Sequence, residues 1–339
     1  MKKISVTFLL MLSAFWLQAQ DINFSQFYEL PALRNPALAG IYKGDLRMTG
    51  VFRSQWQQAT GQFQTTGLSV ESKSGVNEWT EDFYAVALQV TNDVGGDGKL
   101  GRTQVLPSFT YHKLLREESN LYLSAGFSGG LVQQRFDPSK LSFDDQFVNG
   151  SYSRSNPTRQ SFNSTNVTYF DASAGIAIGG DLGYKYKFYL GASYAHFNRP
   201  KVAFNKNNDV RLNQKIAINA GLSCMVSDYD QLFFYGDYFF QGSNNLLQGG
   251  FLYKHNLLEE AEDPSYVISF GTFYRWNDAL IPVVKLDYMK VSVGITYDVN
   301  ISKLKAATQF RGGAEVTLSY KTFLNTKRTS ANKMRCPIL

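Results

Sequence analysis

The residue types that most often do chemistry are sparse in this chain. There are three histidines, His112, His196 and His255, and two cysteines, Cys224 and Cys336. A nucleophilic site needs a base held beside a hydroxyl or thiol, and a zinc site needs ligands at spacings such as HExxH or CxxC. No Ser–His or Asp–His arrangement stands at a recognisable spacing, and neither metal pattern occurs. His196 reads as an end-of-strand residue beside Phe197 and Pro200. Asp144 and Asp145 are adjacent acids, whereas a calcium loop spreads its ligands over about a dozen positions, so they read as solvated loop. The run 93-DVGGDG-98 reads as a turn for the same reason. The expectation is no enzyme, with no catalytic, metal-binding or cofactor-binding set.

What the chain invests in instead is architecture. It opens MKKISVTFLLMLSAFWLQAQ: Lys2 and Lys3 precede an apolar run from Ile4 to Trp16, and Leu17-Gln18-Ala19 offers a small-residue cleavage site. That run falls short of the ~20 residues a spanning helix needs, so residues 1–19 read as a signal peptide. Charged residues make up 18% of the 339 and aromatics 15%, with 28 glycines spread evenly. Two distant cysteines do not make a disulfide scaffold in an exported chain of this size, and closure of a sheet would hold it together instead. Of the net charge of +6, Lys2 and Lys3 supply two and the tail 321-KTFLNTKRTSANKMRCPIL-339 supplies five, leaving the body near −1. The basic balance therefore belongs to the tail and does not point to nucleic acid.

Alternation decides which face meets which medium. In 45-DLRMTGVFRSQWQ-57, Leu46, Met48, Phe52 and Trp56 share one face, and Arg47, Thr49, Arg53 and Gln55 the other. In 169–178, Phe170, Ala172, Ala174, Ile176 and Ile178 oppose Tyr169, Asp171, Ser173, Gly175 and Ala177. Runs of about 10 residues suit a tilted strand crossing a bilayer. An arginine on the lipid face would cost ~2–4 kcal/mol at the midplane, which sends Arg47 and Arg53 inward. The polar face is rich in Gly, Ser, Thr and Tyr, as a packed lumen would be. Aromatics crowd strand ends, as in 233-FFYGDYFF-240 and 273-FYRW-276, in the manner of interfacial girdles.

The pattern predicts an all-β transmembrane antiparallel barrel of about fourteen strands: 45–57, 62–72, 82–91, 102–114, 119–134, 167–179, 186–198, 212–226, 230–241, 245–255, 265–276, 279–288, 290–299 and 311–322. An even number places both termini in the periplasm. Parity then puts the longest connection, 135–166, outside the cell, where barrels keep their long loops. It puts the acidic connection 256-NLLEEAEDPS-265 inside.

The order of short motifs resembles the PorP/SprF family of outer-membrane proteins of type IX secretion and gliding. The carriers are FSQ at 24–26, NPA at 35–37, AG at 39–40 and RSQW at 53–56. They continue with LSFDDQ at 141–146, 169-YFDASAGI-176, 191-GASYAHFNRP-200, 294-GITYDVNISKL-304, 312-GGAEVTLSY-320 and the terminal Cys336-Pro337-Ile338-Leu339. The resemblance covers nearly the whole mature chain and departs from the pattern at Leu339, where an aromatic residue is expected. It implies an integral outer-membrane component that helps to export or anchor secreted surface proteins. It also implies partners: periplasmic ring and motor-linked lipoproteins, and a secreted adhesin or other cargo, besides outer-membrane lipid.

Beside that resemblance the segments divide into a signal peptide (1–19), an N-terminal plug (20–44), a barrel (45–322) and a basic periplasmic tail (323–339). Fourteen strands enclose a lumen wider than side chains alone fill. Residues 20–44 carry Phe24, Phe27, Tyr28, Leu30 and Leu33, costly to leave in water, with Pro31 and Pro36 to stiffen a path without sheet partners. The expectation is a plug in the lumen or its periplasmic mouth, with Phe24, Gln26, Asn35, Pro36, Arg47, Arg53 and Gln55 as the candidate plug and lumen residues. Phe143, Asp144, Asp145, Gln146, Phe147 and Tyr152 are the expected partner-binding residues of the outer loop. Lys327, Arg328, Lys333 and Arg335 are those of the tail. A channel for small hydrophobic or polar solutes is the alternative reading.

Overall fold

Period-two alternation dictates strands, and with antiparallel neighbours joined by short turns the strands close on themselves. The computed structural model describes residues 21–55, 63–76, 80–153, 155–205, 208–257, 266–303 and 309–324. Fourteen strands form one closed antiparallel barrel. They are β1 (Leu46–Gln55), β2 (Phe63–Gly75), β3 (Phe83–Gly95), β4 (Leu100–Arg116), β5 (Leu121–Arg135), β8 (Asn166–Leu182) and β9 (Tyr186–Ala195). The circuit continues with β10 (Lys215–Met225), β11 (Asp230–Gln241), β12 (Asn244–Asn256), β13 (Tyr266–Arg275), β14 (Ala279–Tyr288), β15 (Val291–Asn300) and β16 (Arg311–Thr322). Two short strands, β6 (Phe147–Val148) and β7 (Ser151–Tyr152), make a separate hairpin in the long connection between β5 and β8.

Each expected strand coincides with one barrel strand. Closure runs through ten paired positions between β1 and β16, from Leu46 opposite Thr322 to Gln55 opposite Gly313. A closed circuit leaves no unpaired edge, which is what a lipid environment demands of a sheet. Pairing is interrupted at Pro107 in β4 and Pro282 in β14, where the backbone has no N–H to give. The expected strand 186–198 stops at Ala195 because His196 turns to a φ of 58°.

The faces divide as the alternation requires. In β1, Met48 and Phe52 are over 40% exposed, while Arg47 and Arg53 are 5% and 6% exposed. A continuous outward band of large apolar side chains would be untenable in water and is the surface a bilayer covers. Ring pairs sit at the strand ends, among them Tyr266 with Tyr288 and Tyr274 with Trp276. A cysteine at position 52 is accordingly expected to react with a lipid-phase maleimide probe, and one at position 53 is not. Labelling of 53 in preference to 52 would overturn the register.

Two ends can be distinguished without reference to any cell compartment. The terminal end is where β1 begins and β16 finishes. The loop end carries the long connections 136–165 and 196–214.

Candidate functional site

Residues 21–44 lie inside the barrel, and the inner wall is cut to receive them. The segment folds as short turns, Phe27–Glu29, Pro31–Arg34 and Pro36–Leu38, with Pro31 and Pro36 each opening a turn where the missing N–H costs nothing. Phe24, Phe27, Leu30, Ala37 and Leu38 are all buried. Glycines on the inner face provide the room. A Cβ at Gly175 would lie 2.0 Å from the Asn35 side-chain oxygen, and one at Gly191 would lie 2.7 Å from its amide nitrogen. A Cβ at Gly126 would come within 2.5 Å of the Pro36–Ala37 peptide, and one at Gly294 within 2.2 Å of the Gln26 amide oxygen. These are sockets shaped for particular side chains of the segment.

Polar anchors complete the fit. The backbone N–H groups of Ser25 and Gln26 each donate to one oxygen of Glu315, both at 2.7 Å. The Ser25 hydroxyl donates to Asp298 at 2.5 Å and accepts from Arg275 at 3.0 Å. Asp298 is also paired with Arg53 at 2.7 Å and with Arg275 at 3.1 Å. Arg53 donates a further bond to the Asn23 carbonyl. The buried charges of β1, β13, β15 and β16 thus satisfy one another around two residues of the segment, the arrangement that makes buried ions tolerable. Asn35 accepts from the Ala37 N–H at 2.9 Å, capping its own turn, while Thr110 donates to the Pro36 carbonyl at 2.6 Å. His112 meets the Ala39 carbonyl at 2.8 Å and Ser124 at 2.7 Å. A carbonyl can only accept, so Nε2 carries the proton in the neutral ring and Nδ1 accepts from the serine. Nearer the terminal end, Gly40 donates to Glu71, which pairs with Arg47 at 2.6 Å. Gly40 has a φ of 83° and approaches Ala85 so closely that a Cβ there would meet it at 2.6 Å.

One side of the lumen is apolar. Phe27 and Tyr28 pack on Phe233, Leu252, Phe273, Ile281 and Val283, with Tyr28 stacked between Tyr235 and Phe273. Glu29 leaves this cluster to pair with Lys285 at 2.5 Å, and Arg34 pairs with Asp237 at 2.5 Å. The segment reaches toward the loop end, where Asp21 meets Arg102 at 2.5 Å, Lys215 at 3.2 Å and His196 at 3.4 Å. Burial alone would raise the Asp21 carboxyl, but Lys215, Arg102 and His196 hold it well below the usual carboxylate range. His196 is held in turn by Asp171 at 2.8 Å.

At the loop end, the connection 136–165 has its own small core. Phe136 meets Phe162 and Phe204 edge-on, and Phe143 leans on Phe162. Gln146 is buried and spent within the loop, accepting from the Phe143 N–H and exchanging bonds with Asn156. Asp145 accepts from the Arg159 N–H at 2.5 Å and from the Thr158 hydroxyl at 2.9 Å, and these bonds hold its carboxyl below the usual range. Asp144 is exposed, and Phe147, Val148 and Tyr152 on the hairpin stay open at 42–59% exposure. Of the six loop residues singled out by sequence, two therefore build the loop and three present it. Phe143 does some of each.

Phe24, Gln26, Asn35, Pro36, Arg47 and Arg53 all lie at the contact between segment and wall. Gln55 is half-buried at the end of β1. Alternation alone does not single out Glu71, Asp237, Asp298 and Glu315, which bond to the segment, or Asp171, which acts on it through His196. A usable signal was present: each is a buried acid in the inward phase of a strand. The tail cations Lys327, Arg328, Lys333 and Arg335, with Trp56, Cys336 and the stretch 1–19 expected to be a signal peptide, lie outside the described residues. Among the described residues no group of three or more His, Cys, Asp or Glu is placed to hold a metal ion.

A family model described as the type IX secretion system membrane protein PorP/SprF matches residues 17–320. No curated protein matches the chain. Among solved structures, the chain resembles a deletion mutant of the TodX monoaromatic hydrocarbon channel at 9% identity and a TM-score of 0.50, over 86% of this chain and 94% of that one. It also resembles the CymD monoaromatic hydrocarbon channel, at 10% identity and a TM-score of 0.47, over 88% and 94%. The translocator domain of the autotransporter NalP from Neisseria meningitidis matches at 13% identity and a TM-score of 0.45, over 87% and 95%. At such identities the likeness is one of fold, that of outer-membrane barrels.

Proposed function

The chain belongs to the PorP/SprF family of type IX secretion membrane proteins, and we propose that it is a non-enzymatic outer-membrane component that holds or passes a secreted surface protein. In this reading both termini are periplasmic, the loop end faces outward, and residues 21–44 are a plug. The observation that carries it is the filled lumen. Sockets at Gly126, Gly175, Gly191 and Gly294 and the Glu315–Asp298 anchors are matched to this chain's own segment. A lumen committed in this way leaves the two mouths and the outer loop as the working surfaces. Phe147, Val148 and Tyr152, set on a hairpin that its own aromatic core holds up, offer an adaptable aromatic contact for a protein partner. The tail cations would meet acidic groups on the periplasmic side, an attraction that weakens with salt.

Affinity isolation from detergent-solubilised outer membranes tests this reading. Recovery of a secreted adhesin or of periplasmic ring lipoproteins is the expected result. Isolation of the barrel alone, together with saturable uptake of a small solute, would overturn it in favour of a channel.

A further inference from the structure

The segment fills the lumen unevenly. At the terminal end, on the side built from β9 to β16, a cavity of about 660 Å³ remains open. Six cations line it: Lys43, Arg47, Lys187, Lys254, Lys290 and Lys321. Its three carboxylates are Asp228, Asp230 and Asp287, half as many. Two of them are already engaged, since Asp230 accepts from His255, Tyr253 and Ser227, and Asp287 lies 3.6 Å from Lys285. On the cationic side, Arg47 is held by Glu71 and Lys187 lies 3.9 Å from Asp181. Lys254 rests over the Phe233 ring at 4.0 Å. Neither it nor Lys321 has a carboxylate within 4.0 Å among the described residues. Both are half-buried. Apolar side chains, Met225, Phe233, Val267, Met289 and Phe323, alternate with these charges around the walls.

Half-buried ammonium groups without counter-ions are costly, and an anion that reaches them recovers that cost in a medium of low dielectric. The volume lies within the ~300–1,000 Å³ range of specific ligand sites. The apolar patches require more than a bare anion. The geometry points to a receptor for an extended peptide segment carrying acidic and apolar residues, presented from the side of the two chain ends. Its carboxylates meet Lys254 and Lys321, and its apolar residues lie against Phe233, Val267 and Met289. This site is independent of which exported protein the barrel serves. Peptide binding by the purified barrel can fail while partner recovery from membranes succeeds, and the reverse also holds.

The test is fluorescence anisotropy on the purified, detergent-solubilised full chain. The probe is a labelled hexapeptide alternating Glu with Leu, and a Lys/Leu hexapeptide is the control. Saturable binding of the acidic probe alone, weakening with added salt, is expected. The double variant Lys254→Gln/Lys321→Gln should lose affinity about tenfold or more. Should that variant fold poorly, Met289→Cys in a Cys224→Ser/Cys336→Ser background provides a second route. A bulky maleimide at this exposed turn should block binding and leave the barrel intact. Equal binding of the two peptides, or no change in either variant, would overturn the proposal. Displacement of the probe by millimolar inorganic phosphate as effectively as by unlabelled peptide would reduce the site to a small-anion site and overturn the peptide receptor. Binding that appears only after Glu259, Glu260, Glu262 and Asp263 are neutralised would assign the cavity to the chain's own acidic connection, with the same consequence.

Discussion

Deletion of residues 22–40 is expected to turn a closed barrel into a conducting one. The segment supplies Phe24, Phe27, Leu30 and Leu38 to the interior and covers four glycine sockets. Without it the lumen of fourteen strands, intermediate between an eight-stranded barrel and a sixteen-stranded channel, would hold water. In planar bilayers the intact chain should stay at background and the deletion variant should show steady conductance steps. A point-substitution route avoids removing nineteen residues. Gly175→Leu with Gly126→Leu fills the space now taken by Asn35 and the Pro36–Ala37 peptide, so the segment must leave its seat. Gly50→Ala is the control, because a Cβ there has no neighbour nearer than 4.0 Å. If both the deletion and the double socket variant remained closed, the segment would not be the barrier.

The second large effect is expected at Asp298. Its carboxylate balances Arg53 and Arg275 and accepts from Ser25, all inside the lumen. Asp298→Ala would leave two buried guanidinium groups without their shared partner. Breaking a buried pair from one side typically costs about 3–5 kcal/mol, and here the cost falls on the attachment of the segment as well as on the wall. The variant should unfold at lower urea concentration, and protease should cut within residues 21–44 sooner than in the parent. Adding Arg53→Ala should restore part of the loss, because the two residues share one network and their effects cannot be additive. A change within about 0.5 kcal/mol of the parent, the range of an ordinary surface substitution, would show that the cluster is not an anchor.

The short motifs that carry the family resemblance turn out to share a physical role. FSQ supplies the two N–H groups that Glu315 receives, and the Glu315 of GGAEVTLSY is their acceptor. RSQW supplies Arg53, and GITYDVN supplies both Asp298 and the Gly294 socket. NPA enters the space left by Gly175 of YFDASAGI and Gly191 of GASYAHFNRP. The Gly40 of AG passes Ala85 where a side chain could not. These residues are far apart in sequence because each strand contributes one or two inward positions to a common interior. Among the described motifs LSFDDQ is the exception, lying inside the loop it stabilises through Asp145 and Gln146.

The sequence by itself determined the barrel. Strand number, the phase of each strand and the inward placement of Arg47 and Arg53 follow from a local rule, because period two and the cost of a charge in hydrocarbon act on each strand separately. The burial of the N-terminal aromatics was legible for a similar local reason: they had nowhere else to go. Only the tertiary structure decided which acid meets which cation, that His196 and Asp171 hold the region around Asp21, and that glycines of the polar face are sockets for named side chains. It also decided that Gln146 serves the loop, and that a cationic cavity remains beside the segment. Apart from Gln146, whose partners lie within its own loop, each depends on positions brought together in the lumen, up to 291 residues apart in the chain. Alternation states which way a side chain points. What lies opposite is fixed only when the circuit closes.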